Sequence, residues 1–334
     1  MRKKRFKAVR LLHILWILPL LLVLTAGVMM YVIPAFETAD RTAVADAADW
    51  MAKLDDGRSL GEVVLPGTHD SATQNVQLAY FSKCQALSIG EQLNAGFRYL
   101  DIRLAADGER MKLMHGFTAC TTSGWPWAGT LYLDAVLQQC YDFLQAHPTE
   151  TVVFAVKQEH GSESAAAFER LLDGYVQRNA DRWLLTDHIP TVGEARGKLV
   201  LMRRYADEAD LGAESGIPLL WDNQNGHDDV SKNIVSHDNG SYTLFVQDRY
   251  EYDTADKWAA FTAGLAAGET GPDAVSIHFL STKGTSTYGH PYKFAKRLNA
   301  MLMQTGAETL SGWIVTDFAS ATLAQRIYAA NFGA

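Results

Sequence analysis

Short runs of successive apolar, often β-branched residues alternate with longer stretches in which apolar positions recur every three or four, from about residue 60 to the end of the chain. The strand-like runs fall at 62–69, 98–104, 112–115, 151–157, 198–205, 242–250, 274–280 and 313–318. Uniformly apolar runs of this length suit strands covered on both faces of a parallel sheet. Between them lie helical patterns. Val136, Leu137, Cys140, Phe143 and Leu144 share one face of 131–147, and Phe168, Leu171, Leu172 and Tyr175 form a second stripe. Ser88-Ile89-Gly90-Glu91 has the spacing of a capping box ahead of Leu93. About eight strands with intervening helices predict an α/β fold, an irregular (β/α)8 TIM-type barrel. It should be irregular because the connection from Arg103 to Lys112 is too short for a helix.

A different pattern precedes the barrel. Residues 1–10 form a basic tip, with Arg2, Lys3, Lys4, Arg5, Lys7 and Arg10, and residues 11–36 are almost wholly apolar, with His13 alone able to charge. That run exceeds the ~20 residues that cross a bilayer as a helix. It is longer than the apolar core of a cleaved signal peptide, and Ala43-Val44-Ala45 lies well beyond it. Pro19 is tolerable in a membrane helix. The reading is a retained transmembrane signal-anchor at 11–36, with secretion after cleavage as the alternative. The basic flank stays inside, so the rest is extracytoplasmic. Residues 37–60, small, polar and alanine-rich, read as a stalk leading into a first helix near 47–54, and 61–334 as the catalytic barrel.

Charge narrows the partners. The net charge is −8, and the six basic residues of the tip leave −14 on the remainder. A nucleic-acid surface needs a basic face and is excluded; lipid contact must then be apolar or aromatic. Trp125 and Trp127, in Thr121-Thr122-Ser123-Gly124-Trp125-Pro126-Trp127, are the candidate membrane contacts, since indole rings prefer the headgroup level. Cys84, Cys120 and Cys140 lie on the exported side. Cys140 sits on a helical apolar face and reads as a buried thiol. Cys84 and Cys120 both follow motif strands, in loops at one end of a barrel, and are expected to form a disulfide.

The candidate chemistry is concentrated in Leu65-Pro66-Gly67-Thr68-His69-Asp70-Ser71, Tyr99-Leu100-Asp101-Ile102-Arg103 and Met114-His115-Gly116. Two histidines and a fixed cation suit phosphoryl transfer: one imidazole takes a proton, the other returns one, and the guanidinium meets the phosphate. His69, Arg103, His115, Lys157, Arg204, Asp248, Tyr250 and Asp317 all fall at or near C-terminal strand ends, the face at which barrel sites assemble. Alternation along the strand should turn only one of Arg203 and Arg204 inward. Ser281, Thr282 and Lys283 close a later strand and are further possible contacts.

These motifs, with Val156-Lys157-Gln158-Glu159, the 197–205 run ending Arg203-Arg204-Tyr205, Val246-Gln247-Asp248-Arg249-Tyr250 and Gly312-Trp313-Ile314-Val315-Thr316-Asp317-Phe318, resemble the X-type catalytic domain of bacterial phosphatidylinositol-specific phospholipase C from about residue 61 onward. The resemblance implies His69 as general base toward the inositol 2-hydroxyl, oriented by Asp317, and His115 as general acid, raised by Asp70 with Asp101 nearby. It implies that Lys157, Arg204, Asp248 and Tyr250 hold the inositol. Metal-dependent glycerophosphodiesterases carry an acidic-x-acidic pair where this chain has Asp101-Ile102-Arg103; a guanidinium there would repel a metal and replace its charge. The expectation is therefore a monomeric, cofactor-free and metal-free lyase releasing diacylglycerol and inositol 1,2-cyclic phosphate from phosphatidylinositol or a glycosylated derivative at a lipid bilayer. The alternatives are a metal-dependent glycerophosphodiester or sphingomyelin-type phosphodiesterase, and an inactive membrane-anchored headgroup-binding module.

Overall fold

The computed structural model describes residues 2–209, 211, 215–225, 231–237, 240–286 and 289–333. Its strands are β1 (Leu65–Thr68), β2 (Tyr99–Asp107), β3 (Arg110–His115), β4 (Thr118–Ala119), β5 (Val152–Gln158), β6 (Trp183–Leu184), β7 (Leu199–Arg204), β8 (Ile217–Pro218), β9 (Ser231–His237), β10 (Gly240–Gln247), β11 (Ala274–Phe279) and β12 (Trp313–Thr316). Its α-helices are α1 (Arg2–Gly27), α2 (Ile33–Ala35), α3 (Ala79–Ser82), α4 (Ile89–Asn94), α5 (Leu133–Ala146), α6 (Ala165–Gln177), α7 (Val192–Ala195), α8 (Thr254–Ala267), α9 (Pro291–Gln304) and α10 (Ala321–Tyr328). A single sheet runs β6-β7-β5-β2-β1-β12-β11-β10-β9, with β8 beside β7. Every pair along it is parallel except β10 with β9, which are antiparallel. The sheet curls into an irregular TIM-type barrel, and no ladder joins its two edges among the described residues.

Alternation divides each strand between two apolar layers. Val153, Ala155, Val200, Met202, Leu244, Val246, Ile277 and Val315 share the interior cluster, although they come from strands distributed around the whole sheet. Val152, Phe154 and Val156 face outward with Leu100 and Ile102, where α5 supplies Val136, Leu137, Cys140 and Phe143. On the other flank Ile314 packs with Leu298, Leu302, Leu323 and Ile327 from α9 and α10. Both faces of each strand are thus covered, which explains runs apolar at every position. Gly67 is glycine for a packing reason: a Cβ there would lie 2.9 Å from the Tyr99 ring and 3.1 Å from Val315.

Three expectations need correction. The run at 112–115 is not a barrel strand but β3 of an antiparallel hairpin on β2, since the two-residue turn Gly108-Glu109 returns the chain at once. Residues 37–60 do contain the expected first helix, a 3-10 helix at 47–53, but they do not stand clear of the barrel as a stalk would, since Trp50 and Met51 enter the interior cluster. The Cys84–Cys120 disulfide is not formed, and all three cysteines are buried free thiols. Cys120 points into the outer apolar layer beneath α5, whereas Cys84 faces the cavity at the strand ends, so the two sulfurs occupy different environments. The capping box at Ser88 is present, with Ser88 accepting from the Glu91 amide and Glu91 from the Ser88 amide.

The basic tip and the apolar run form one long helix, α1, continued by a π-helical turn at Val28–Val32 and by α2. Among the described residues one segment, Leu15–Ala35, is long and apolar enough to cross a membrane; its most apolar stretch is unburied by the rest of the chain, while Pro34 near its end is buried.

Candidate active site

The interior-facing series of each strand is apolar at its start and polar at its end. Tyr99 is followed two by two by Asp101 and Arg103, Val153 and Ala155 by Lys157 and Glu159, Val200 and Met202 by Arg204, Val246 by Asp248, and Val315 by Asp317. Because side chains alternate with a period of two, this parity sends every one of these groups to the same mouth. There all but the fully buried Asp101 line a cavity of about 530 Å³ together with His69 and His115. Arg204 is the inward member of its pair. Arg203 turns away to donate to the Gly216 carbonyl and to pair with Asp207.

Asp70 sits between the two imidazoles. Its Oδ2 is 3.4 Å from His69 Nε2 and 3.3 Å from His115 Nδ1, while Oδ1 is 3.1 Å from Arg103 Nε. The backbone reaches this position through a left-handed residue, Asp70 at φ 43°, a conformation that aspartate adopts more readily than most side chains. It is fixed by hydrogen bonds from the Asp70 amide to Asp101 and from the Thr73 hydroxyl to the Asp70 carbonyl. The ring centroids of His69 and His115 are 6.4 Å apart.

His69 Nδ1 lies 2.8 Å from Asp317 Oδ1, so Nδ1 carries the proton and Nε2 is left to accept one. Burial disfavours the charged ring, but the Asp317 and Asp70 carboxylates outweigh it, and the pKa of His69 is raised above that of an ordinary histidine. Gln85 holds the segment, donating to the carbonyls of His69 and Thr316 and accepting from the Ala319 amide.

Arg103 is surrounded by acid. Besides Asp70 it meets Asp101 at 3.0 Å and Glu159 at 3.8 Å. Asp101 also accepts from Arg204 at 3.3 Å. Burial would raise both carboxyls, yet the guanidinium neighbours hold Asp101 far below the usual range and, with Lys157, keep Glu159 down at about 2. These groups stay ionised, and Arg103 stays a permanent cation at the mouth. Lys157 Nζ is 2.7 Å from Glu159; burial and the nearby Arg103 lower its own pKa. Arg204 lies 3.6 Å over the Trp221 ring, and the Trp221 indole donates to Asp248 at 3.2 Å. Tyr250, Ser281, Thr282 and Lys283 complete the far wall.

Glu159 and Trp221 belong to this cavity and were not singled out from sequence, and Cys84, expected in a disulfide, belongs to it as a free thiol. Glu159 continues the inward parity of Lys157, and Trp221 continues that of Ile217 and Leu219, so the alternation held the signal for both. Cys84 Sγ is 3.7 Å from His115 Nδ1; burial, then Asp317 and Asp70, push its thiol far up, which keeps it protonated. His69, Asp70 and Cys84 are the potential metal ligands that come together among the described residues, within 4.8 Å of one another. The Arg103 cation beside that carboxylate works against a metal there.

Trp125 and Trp127 lie outside the cavity, on a projecting loop closed by the Thr121–Thr130 bridge. They stack on each other at 5.4 Å and remain 64% and 79% exposed, so neither ring packs onto the barrel.

Fold and site together define an α/β barrel whose mouth carries a carboxylate-linked histidine pair and a half-buried arginine, groups whose chemistry suits a phosphate ester. Residues 66–205 match the model of the family "Phosphatidylinositol-specific phospholipase C, X domain". The "1-phosphatidylinositol phosphodiesterase" of Staphylococcus aureus (strain Newman) is 29% identical over 296 residues, covering 82% of this chain and 89% of that one. The protein of the same description from Listeria monocytogenes is 27% identical over 197 residues, covering 53% and 58%. A solved structure of the S. aureus phosphatidylinositol-specific phospholipase C superposes with a TM-score of 0.70 at 25% identity, covering 84% of this chain and 96% of that one. The Listeria monocytogenes phosphatidylinositol-specific phospholipase C shares the fold, with a TM-score of 0.63 at 20% identity, covering 85% and 98%.

Proposed function

We propose that the protein is a phosphatidylinositol-specific phospholipase C that cleaves its lipid without a metal, by transferring the phosphoryl group to the inositol 2-hydroxyl. The observation that carries the reading is Asp70 linking His69, His115 and Arg103 within 3.4 Å at one cavity. His69 Nε2 takes the hydroxyl proton, with Asp317 stabilising the imidazolium that forms. Arg103 meets the charge that develops on the phosphate. His115 protonates the departing diacylglycerol oxygen. Nucleophile and phosphate sit on one ring, so the step is intramolecular and needs only orientation. Lys157, Arg204 and Asp248 present charged donors and acceptors to the remaining hydroxyls, with Tyr250 on the same wall. The helix at 11–36 would hold the enzyme in a membrane as a single span with the barrel outside, and the exposed tryptophans would contact lipid.

The deciding experiment is incubation with phosphatidylinositol in EDTA, with phosphorus NMR of the water-soluble products. Activity should survive the chelator, and inositol 1,2-cyclic phosphate should appear first. Strict dependence on added Ca²⁺, or inositol 1-phosphate formed with no cyclic precursor, would falsify the reading.

A second expectation concerns pH. The base must be neutral to act, so activity falls as pH drops through the His69 pKa; because that pKa is raised, the acid limb of kcat/KM should lie above pH ~6.5. Asp317→Asn removes the larger of the two stabilising charges and should move the limb to lower pH while reducing the plateau. A limb that stays in place would mean that another group controls it.

A further inference from the structure

The apolar helix does not end away from the barrel; it ends against the mouth. Lys83, just past α3, donates to the carbonyls of Pro34 at 2.7 Å and Glu37 at 3.0 Å. Glu37, 3% exposed, meets His290 Nε2 at 2.5 Å. His290 in turn stacks on Tyr80 of α3 at 4.1 Å with the rings 9° from parallel. The neighbours of these clamp residues, Phe81 after Tyr80 and Pro291 after His290, both line the catalytic cavity. On the other side, Met30 and Tyr31 form one wall of a separate cavity of about 350 Å³, and Ser123, Trp125 and Pro126 form another. The membrane end of the helix and the tryptophan loop therefore stand at one level, beside the opening of the active site.

We propose that the clamp made by Glu37, His290 and Lys83 holds the active-site mouth against the bilayer in which the helix is embedded, so that the enzyme cleaves inositol phospholipid of its own membrane in preference to lipid presented on another. This rests on the phospholipase reading above. The turns of the apolar span Leu15–Ala35 that precede Pro34 are open to their surroundings, and only lipid would cover them, whereas Pro34 itself is buried at the junction with the barrel. With its last turns in the bilayer, Trp125 and Trp127 reach the headgroup level, and the mouth lies over the same leaflet. Residues 38–46 have no helix or strand of their own and could span roughly 30 Å when extended; besides the clamp they are held by Arg41 to Glu91 at 2.8 Å and by the Thr322 hydroxyl donating to Asp40 at 2.9 Å, both on exposed side chains, so losing the buried clamp loosens the joint between helix and barrel. A fixed, facing geometry raises the effective concentration of lipid in the same leaflet and withholds the mouth from a second one.

The test reconstitutes the full chain, barrel outward, in vesicles containing deuterated phosphatidylinositol, mixed with protein-free vesicles containing the ordinary lipid at equal total amount. Mass spectrometry of diacylglycerol reports both pools at once. The same-membrane pool should be cleaved initially at least about 10-fold faster. Glu37→Ala with Lys83→Ala should collapse that ratio toward unity while leaving hydrolysis of soluble inositol 1,2-cyclic phosphate unchanged. Equal initial rates from the two pools in the unaltered protein would overturn the inference, whatever the variant does. So would a preference that the double variant retains in full. Absence of cleavage in detergent-mixed micelles as well would instead remove the phospholipase reading, and this inference with it.

Discussion

Replacing either His69 or His115 by alanine should lower turnover of phosphatidylinositol by about 10²–10⁴, the usual worth of a positioned proton acceptor or donor. The two variants should then part company on a substrate whose leaving group needs no proton. With a nitrophenyl phosphodiester of inositol, the His115 variant should recover much of its loss and the His69 variant little, because only the acid has become dispensable. The geometry makes this separation meaningful: both rings reach the same Asp70 oxygen, at 3.4 and 3.3 Å, yet His69 alone has a second carboxylate, Asp317, on its other nitrogen. That second partner fixes the tautomer which leaves Nε2 free to accept. His115 has instead the neutral Cys84 thiol 3.7 Å from the nitrogen that faces Asp70. Equal rescue of both variants would mean that the roles are not divided in this way. An unchanged thermal midpoint in each variant is the control that the barrel still stands.

What the sequence made legible was the part governed by short periods. The strand runs, the face of α5 through Cys140 and the capping box at Ser88 rest on local patterns that tertiary packing reinforces. The polar strand ends were legible for the same reason, and the rule of two would have carried further than it was taken. It separates Arg204 from Arg203, and it adds Glu159 and Trp221 to the mouth. The hairpin at β3 was missed because a run of four or so apolar residues has no direction of its own; the turn at Gly108 decides it. The disulfide was misjudged because two loops at the same end of a barrel can still turn their side chains to opposite sides of a strand layer. The stalk was misjudged by composition. Alanine-rich and charged, residues 37–60 look solvated, and nothing local reveals that Trp50, Met51 and Glu37 each find a partner far along the chain.

That last misreading leads to the largest expected effect on stability. Arg98 and Glu150 are a fully buried pair at the N-terminal end of the sheet, opposite the active site, joined at 2.9 and 2.7 Å through Nε and Nη2. The remaining guanidinium hydrogens go to the carbonyls of Leu93, Phe97 and Ala48. Glu150 in turn accepts from the amides of Met51 and Ala52. The pair thus ties the start of two barrel strands to the 3-10 helix at 47–53, whose Trp50 stacks on Tyr328 at 5.0 Å and donates to the Gly96 carbonyl. Glu150→Ala leaves an uncompensated guanidinium in the interior and two amides without an acceptor, and should cost about 3–5 kcal/mol. Glu150→Gln keeps an acceptor and should cost less. Replacing both partners by apolar residues, Arg98→Met with Glu150→Leu, should recover part of the loss, since the penalty comes from the orphaned charge more than from the missing attraction. Turnover per folded molecule should be unchanged in all three, because no group of the pair approaches the strand ends where the histidines lie. The measurement is thermal inactivation followed by residual turnover. A loss below about 1 kcal/mol for Glu150→Ala would show that water reaches the guanidinium once the carboxylate is gone, and that Trp50, Met51 and the Arg196 contact to the Met51 carbonyl suffice to hold the segment at 47–53.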